Sequence, residues 1–287
     1  MDYDVFEGNK YEGDTLLPVI EHFEGKYSPG KLIVVADAGL LSNKNISRLN
    51  EKKYQYILGA RIKNESAEVT SQILRLELQD KQSWVINKKD TTRLIVSYKE
   101  ERARKDAHNR KRGLEKLEKN LNAGKLSKKQ INNKGYNKYL KMEGEVRVEI
   151  DYDKYRDDAK WDGLKGYLTN TSLSKEGVIE KYAQLWSIEK TFRISKSDLK
   201  IRPIYHRLRR RIEAHICISF AACKVYKELE RQLKEKKSGL SPEKVIDILK
   251  TIYKAGIQTP YSNNTYQRLI IKNQEQHDLV QLFNLEL

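Results

Sequence analysis

Residues Lys31–Ser42 read KLIVVADAGLLS. Leu32 to Ala36 are apolar without interruption, and Asp37, Ala38 and Gly39 follow directly. A short apolar run bounded by turn residues predicts a strand buried on both faces, and an acid at its carboxyl end stands where α/β sheets place their ligands. The alternative for Asp37 is an ordinary turn or cap residue. Upstream, Asp2–Phe6 predicts a strand. A helix is predicted from about Asp14, with Leu16, Leu17, Ile20 and Phe23 on one face and Ser28, Pro29 and Gly30 as its stop. Downstream, Ser42 can cap a short helix through Leu49, and Tyr54–Ala60 predicts the next strand. This alternation belongs to an α/β layer.

A second stretch, YAQLWSIEKTFRISKSDLK from Tyr182 to Lys200, supplies the candidate chemistry. Tyr182, Glu189 and Lys196 are spaced by seven and seven residues, two helical turns each time, so a continuous helix projects all three from nearly one side. A carboxylate between a phenol and an ammonium can take a divalent metal while its flanking groups reach phosphate oxygens. The competing account makes Tyr182 and Trp186 half-buried packing residues and leaves Glu189 and Lys196 as solvated charges.

Taken together, VADAGLLS at the end of an apolar strand and the later Tyr, Glu and Lys at sevenfold spacing resemble the DDE transposases of bacterial insertion sequences. The segment from Gly166 to Thr171, containing LTN just before the Glu helix, is similar to the family's last core strand. The resemblance covers nearly the whole chain. It implies an RNase H-like mixed α/β sheet flanked by helices and interrupted by an α+β insertion. Asp37 and Glu189 are then the second and third catalytic, metal-binding carboxylates. Tyr182, Arg193 and Lys196 become contacts to transposon-end DNA, and Trp161, at the return from the insertion, is the aromatic that receives a flipped base in hairpin-forming relatives. For Trp161 and Trp84, core packing is the competing expectation. The implied cofactor is Mg2+ or Mn2+, two ions in an intact enzyme. The implied partner is double-stranded DNA, both transposon ends and target, with a homodimer on DNA by analogy.

Two positions depart from the family pattern. Leu185 stands where relatives have an Arg, and no D-x-T strand carrying the first catalytic Asp precedes the chain's Asp2 and Asp4. The expectation is an N-terminally truncated transposase lacking its first core strands, inactive alone for want of the first Asp. The alternative is a non-catalytic DNA-binding product that competes with an intact enzyme.

The insertion is expected from Arg61, where the pattern changes. Residues 1–60 are the first part of the core, 61–160 the basic insertion, 161–235 the second part of the core with the Glu helix, and 236–287 a C-terminal helical appendage. Within the insertion, Gln82–Asn87, Thr92–Tyr98 and Glu145–Asp151 predict strands. Leu114, Leu117 and Leu121 give the intervening charged helix an apolar seam. Lys99–Lys141 holds 15 basic and 5 acidic residues, a net of +10 out of the chain's +16. Such an excess is either a solvated helix or a lobe laid along DNA backbone. Beyond the Glu helix, an apolar helix is expected over about Ile212–Leu233. A last helix, carrying Val245, Ile246, Ile248 and Leu249, is expected to end near Ala255 or Gly256.

The 287 residues suffice for a full core with a second lobe, and the +16 charge favours a polyanionic partner over small acidic substrates. No long apolar span or signal peptide is present, so a soluble, cytoplasmic, nucleoid-associated protein without a membrane is expected. Cys217 and Cys223 lie in the apolar run ICISFAACKVY and read as buried packing, and no His spacing completes a zinc site with them. No Gly-rich phosphate loop or nucleophile elbow appears, which leaves no small-molecule cofactor to expect.

Overall fold

The computed structural model describes residues 2–88, 91–143, 147–197, 199, 201–258 and 265–285, in two compact units, Asp2–Ser187 and Ile188–Leu287.

In the first unit, α1 (Leu16–Tyr27), β1 (Ile33–Ala36), α2 (Asn43–Glu51) and β2 (Gln55–Ala60) follow the predicted alternation. Ser42 caps α2 by accepting the Asn45 N–H at 3.1 Å, and Ser28 closes α1 in the left-handed region. After α3 (Ala67–Leu74), the hairpin β3 (Ser83–Asn87) and β4 (Arg93–Tyr98) leads into the long helix α4 (Glu100–Asn122). A small ribbon of β5 (Leu140–Glu143) and β6 (Arg147–Ile150), then α5 (Tyr152–Asp158), precede β7 (Leu164–Thr169) and α6 (Lys175–Ala183). Val146 and the Lys89–Asp90 part of the predicted hairpin turn lie outside the described residues.

The main sheet has the order β1-β2-β7-β4-β3, parallel between β1 and β2 and antiparallel elsewhere. It is the mixed, helix-flanked sheet of an RNase H-like fold. Leu58, Leu168 and Leu94 share one face by register, and there α1, α2 and α3 bury Leu17, Ile20, Leu49 and Ile73. On the other face Ile57, Ile95 and Tyr167 meet α6 through Val178 and Tyr182. The sheet is thus covered on both sides, which is why β2 and β4 are each buried over four consecutive residues.

The LTN residues continue the β7 ladder with side chains. Asn170 accepts the Tyr56 N–H at 2.9 Å and donates to the Tyr54 carbonyl at 2.9 Å, while the fully buried Thr169 hydroxyl donates to the Tyr56 carbonyl at 2.7 Å. The side chains supply the bonds that a further ladder rung would make.

α4 lays its predicted seam onto the small ribbon, with Leu117 buried among Tyr139, Leu140, Val148 and Ile150 and with Leu114 and Leu121 beside them. Asp158 ties this lobe to the rest of the unit. It pairs with Lys63, and it accepts from Lys138 and the Tyr139 hydroxyl at 2.6 Å each.

Two expectations for this unit are corrected. Asp2–Phe6 forms no strand, because its acids are taken up by α1: Asp2 accepts from Lys26 at 2.9 Å and Tyr27 at 3.0 Å, and Asp4 meets His22 at 2.7 Å. The Lys26 ammonium, with help from the Tyr3 N–H, holds the Asp2 carboxyl down to about 2. Trp84 is not a core residue, since it points outward from the edge strand β3 and is 51% exposed.

The second unit takes in most of α7 (Leu185–Ser197), followed by α8 (Arg209–Glu235), α9 (Pro242–Leu249), a two-stranded ribbon of β8 (Tyr253–Gln258) and β9 (Thr265–Ile270), and α10 (Gln274–Leu282). Leu233, Val245, Ile248 and Leu279 form its core. Ala255 and Gly256 therefore lie in a strand, not at the end of a helix, and α9 stops at Leu249 where the β-prone Thr251-Ile252-Tyr253 begins. Cys223 is buried as expected, but Cys217 is exposed. Among the described residues, no helix is long and apolar enough to cross a membrane.

Candidate active site

Because β1 and β2 are parallel, their carboxyl ends open at one edge of the sheet. Asp37 follows β1 there and is exposed. Its Oδ1 accepts the Gly39 N–H at 2.8 Å, which fixes the carboxylate in a tight Asx turn. The second oxygen takes no hydrogen bond among the described residues.

Tyr182 is brought to this edge by α6. Ser174 caps α6 by accepting the Gly177 N–H at 3.1 Å, and two turns later Tyr182 is packed edge-on against Tyr167, with centroids 4.9 Å apart. Lys165 on β7 holds its ammonium 4.3 Å from the Tyr182 ring and 5.5 Å from Tyr167, and burial pushes the Tyr167 phenol up. Gly59, at the end of β2, makes the approach possible. A Cβ there would stand 2.5 Å from the Tyr182 hydroxyl oxygen and 2.9 Å from the Ala38 backbone nitrogen. The phenol thus sits against the backbone that presents Asp37. It is 9% exposed, and the packing account of Tyr182 holds in that sense. Lys165 is a residue that sequence reasoning misses. Its only signal is a Lys two residues before Tyr167 in a strand, which is unremarkable until Tyr182 folds over it.

The helix from Tyr182 to Lys196 is not continuous. α6 ends at Ala183, Gln184 is a turn residue, and α7 starts at Leu185. The Gln184 N–H bonds the Lys181 carbonyl three residues back, and the Gln184 carbonyl is taken by the Ser187 N–H at 3.1 Å and the Ser187 hydroxyl at 2.7 Å. These tight bonds compete with the regular ladder and break it. Tyr182 and Glu189 therefore lie on two successive helices, α6 and α7.

Glu189 and Lys196 belong to the second unit and Asp37 to the first. On α7, Glu189, Arg193 and Lys196 are exposed at spacings of four and three, on one helical face. Trp186 is 65% exposed, so its expected half-burial is corrected. The opposite side of α7 is anchored by the buried Ile194 and by Lys190, whose ammonium meets Glu230 on α8 at 2.6 Å. Hydrogen bonds from Lys190 and Lys227 draw the Glu230 carboxyl below its usual range. Trp161 is half-buried beside Ile62, Leu94 and Val96, with Lys63 over its ring at 5.8 Å, on the face of the sheet opposite Tyr182.

Hard divalent cations such as Mg2+ and Mn2+ take oxygen donors, and the uncommitted oxygen of Asp37 and the exposed carboxylate of Glu189 are donors of that kind. Among the described residues, no cluster of three or more His, Cys, Asp and Glu side chains is placed to hold a metal ion.

A mixed sheet covered by helices on both faces, with an acid at the carboxyl end of a parallel strand, is consistent with the RNase H-like class that the resemblance implies. The family model of the transposase DDE domain matches residues 1–223, and the chain belongs to that family. No curated protein and no solved structure matches it. Family membership makes the chain a transposase-type protein whose partner is DNA and whose relatives use divalent metal ions.

Proposed function

We propose that the chain is the catalytic-domain portion of a transposase that cleaves transposon ends and joins them to target DNA. Asp37 and Glu189 are its catalytic carboxylates. The observation that carries this reading is Asp37 itself, held by an Asx turn at the mouth of the sheet with one oxygen uncommitted and Tyr182 packed behind its backbone. Asp37 and Glu189 would hold Mg2+ or Mn2+, two ions when a third acid is present. Bound there, the ions would activate water or a 3'-hydroxyl and stabilise the leaving oxygen of the phosphodiester. The chain's own contribution is placement. Gly59 and Tyr182 set the backbone beside Asp37, and α7 offers Arg193 and Lys196 to phosphates next to Glu189. Trp161 would stack an extruded base only by leaving its packed position.

The basic insertion, within 61–160, would lie along the DNA. Lys105, Arg112, Lys116 and Lys119 share one exposed face of α4, opposite the Leu114–Leu121 seam, and pair with no acid among the described residues. That stripe runs along roughly 20 Å of helix. It has the spread of charge that phosphate contacts require.

We further propose that the chain alone binds DNA without cutting it, because the D-x-T setting of the family's first catalytic acid is not found in its sequence. A free-standing product of this kind would compete with an intact transposase for ends, as a monomer or as a homodimer on DNA in the nucleoid. The test is Mg2+-dependent nicking of a transposon-end duplex. The chain alone is expected to bind and not nick, and addition of a segment carrying a D-x-T strand to restore nicking that Asp37→Asn and Glu189→Gln each abolish. Nicking by the unsupplemented chain, abolished by Glu189→Gln, refutes the inactivity. Restored nicking indifferent to both substitutions refutes the site.

A further inference from the structure

Residues 224–287 lie beyond the matched family domain, and within them the ribbon β8–β9 is mounted on a rigid base. Gln276, only 2% exposed, clamps both of its ends. The side-chain amide donates to the Thr251 hydroxyl at 2.8 Å just before β8, and its oxygen accepts the Lys272 N–H at 2.6 Å just after β9. Asn273 caps α10 by accepting the Gln276 N–H at 2.9 Å, which holds the clamp itself in place. A two-stranded ribbon alone is marginal in water, and this anchoring is what lets it stand exposed.

The register sorts its side chains. Tyr253 opposes Ile270 and Ala255 opposes Arg268 on one face, whereas Lys254 opposes Leu269 on the other. Lys272 continues the first face, its ammonium 5.3 Å from the Tyr253 ring. Tyr253 is 57% exposed and Ile270 43%. From Thr251 to Gln274 the sequence has no acid. This face therefore presents two cations and an aromatic ring to solvent, and neither Arg268 nor Lys272 pairs with an acid among the described residues.

We propose that the Arg268–Lys272 face of this ribbon is a second DNA-contacting element, independent of the catalytic domain, which places a two-stranded ribbon against duplex phosphates. The partner is double-stranded DNA because the free charge is positive and the major groove admits a ribbon of two strands. The inference rests on the DNA-binding reading of the whole chain.

The test measures the affinity of the full chain for a duplex across a range of salt. Arg268→Gln combined with Lys272→Gln is expected to lower the slope of log K against log salt by about 2, roughly one for each phosphate that is no longer neutralised. Lys254→Gln, on the opposite face, is expected to change the slope by less than about 0.5. The charge-conserving pair Arg268→Lys and Lys272→Arg, which should keep the slope, guards against a loss caused by misfolding. An unchanged slope in the Gln double variant overturns the proposal and points the ribbon to a protein partner. So does an equal loss in Lys254→Gln, since it would mean diffuse charge with no preferred face. Failure of the unsubstituted chain to bind the duplex at all would instead sink the DNA-binding reading together with this one.

Discussion

Gly59→Ala tests whether the floor of the site is as tightly set as its geometry implies. Carbon contacts are comfortable at about 3.5–4.0 Å. The added methyl would start 2.5 Å from the Tyr182 hydroxyl oxygen and 2.9 Å from the Ala38 nitrogen. The phenol has to retreat by about 1 Å and the Ala38 backbone by about half that. Neither motion is free. The Tyr182 ring is held against Tyr167 and beneath Lys165, and Ala38 is joined to the Asx turn of Asp37. Overpacking of this sort costs about 1–3 kcal/mol. In urea the midpoint should fall by that amount divided by an unchanged m value.

Tyr182→Phe in the Gly59→Ala background removes the oxygen at 2.5 Å and leaves the ring carbon at 3.3 Å and the Ala38 nitrogen in place. The pair should couple by about 1 kcal/mol, with the double variant more stable than the two single losses would sum to. In a chain supplied with a D-x-T segment, as in the test proposed above, displacement of the Asp37 backbone by about half an ångström or more should slow cleavage by up to about 100-fold. A Gly59→Ala chain whose stability stays within about 0.5 kcal/mol of the original, or one that Tyr182→Phe does not relieve, would show that this backbone yields easily. It would then be no platform for Asp37.

Two further outcomes follow from the inserted lobe. Burial alone would raise the Asp158 carboxyl, but hydrogen bonds from Lys138, Lys63 and Tyr139 hold it well below the ordinary 3.8. A carboxyl depressed on folding contributes stability above its unfolded value and loses it as pH falls through the folded one. The chain should thus weaken below about pH 4, and Asp158→Asn should be less stable at pH 7 by roughly 2–3 kcal/mol with a shallower loss in acid. Parallel urea-midpoint profiles for the two proteins from about pH 7 to about pH 2 would refute this. Replacing Lys105, Arg112, Lys116 and Lys119 together by Gln should reduce the salt slope of duplex binding by about 3 to 4 while leaving the helix content unchanged. A slope unaltered by removal of all four cations would make α4 an ordinary solvated helix.

What the chain discloses before folding is what neighbouring residues decide among themselves. Ser42 and Ser174 cap helices because a hydroxyl needs only an N–H three residues on, and the α4 seam follows from spacing alone. The apolar run before Asp37 reads as a covered strand, and in β1 Val34 and Ala36 are buried on one face while Ile33 and Val35 are half-buried on the other. The errors fall where a distant partner decides. Asp2–Phe6 has a strand's alternation, yet Lys26, Tyr27 and His22 capture its acids, and it pairs with no strand. Trp84 looks like a core residue until β3 proves to be the edge of the sheet. The start of the ribbon β8–β9 reads as a helix tail because its defining contact, Gln276 reaching back 25 residues to Thr251, is invisible to any short window.

The Tyr182–Glu189 segment is the instructive case, since the spacing that draws attention to these residues spans two helices and not one. Periodicity assumes an unbroken ladder, and Ser187 interrupts it with a hydroxyl bond to the Gln184 carbonyl. Tyr182 consequently serves the first unit, folded onto Gly59 behind Asp37, while Glu189 goes with the second under the tie of Lys190 to Glu230.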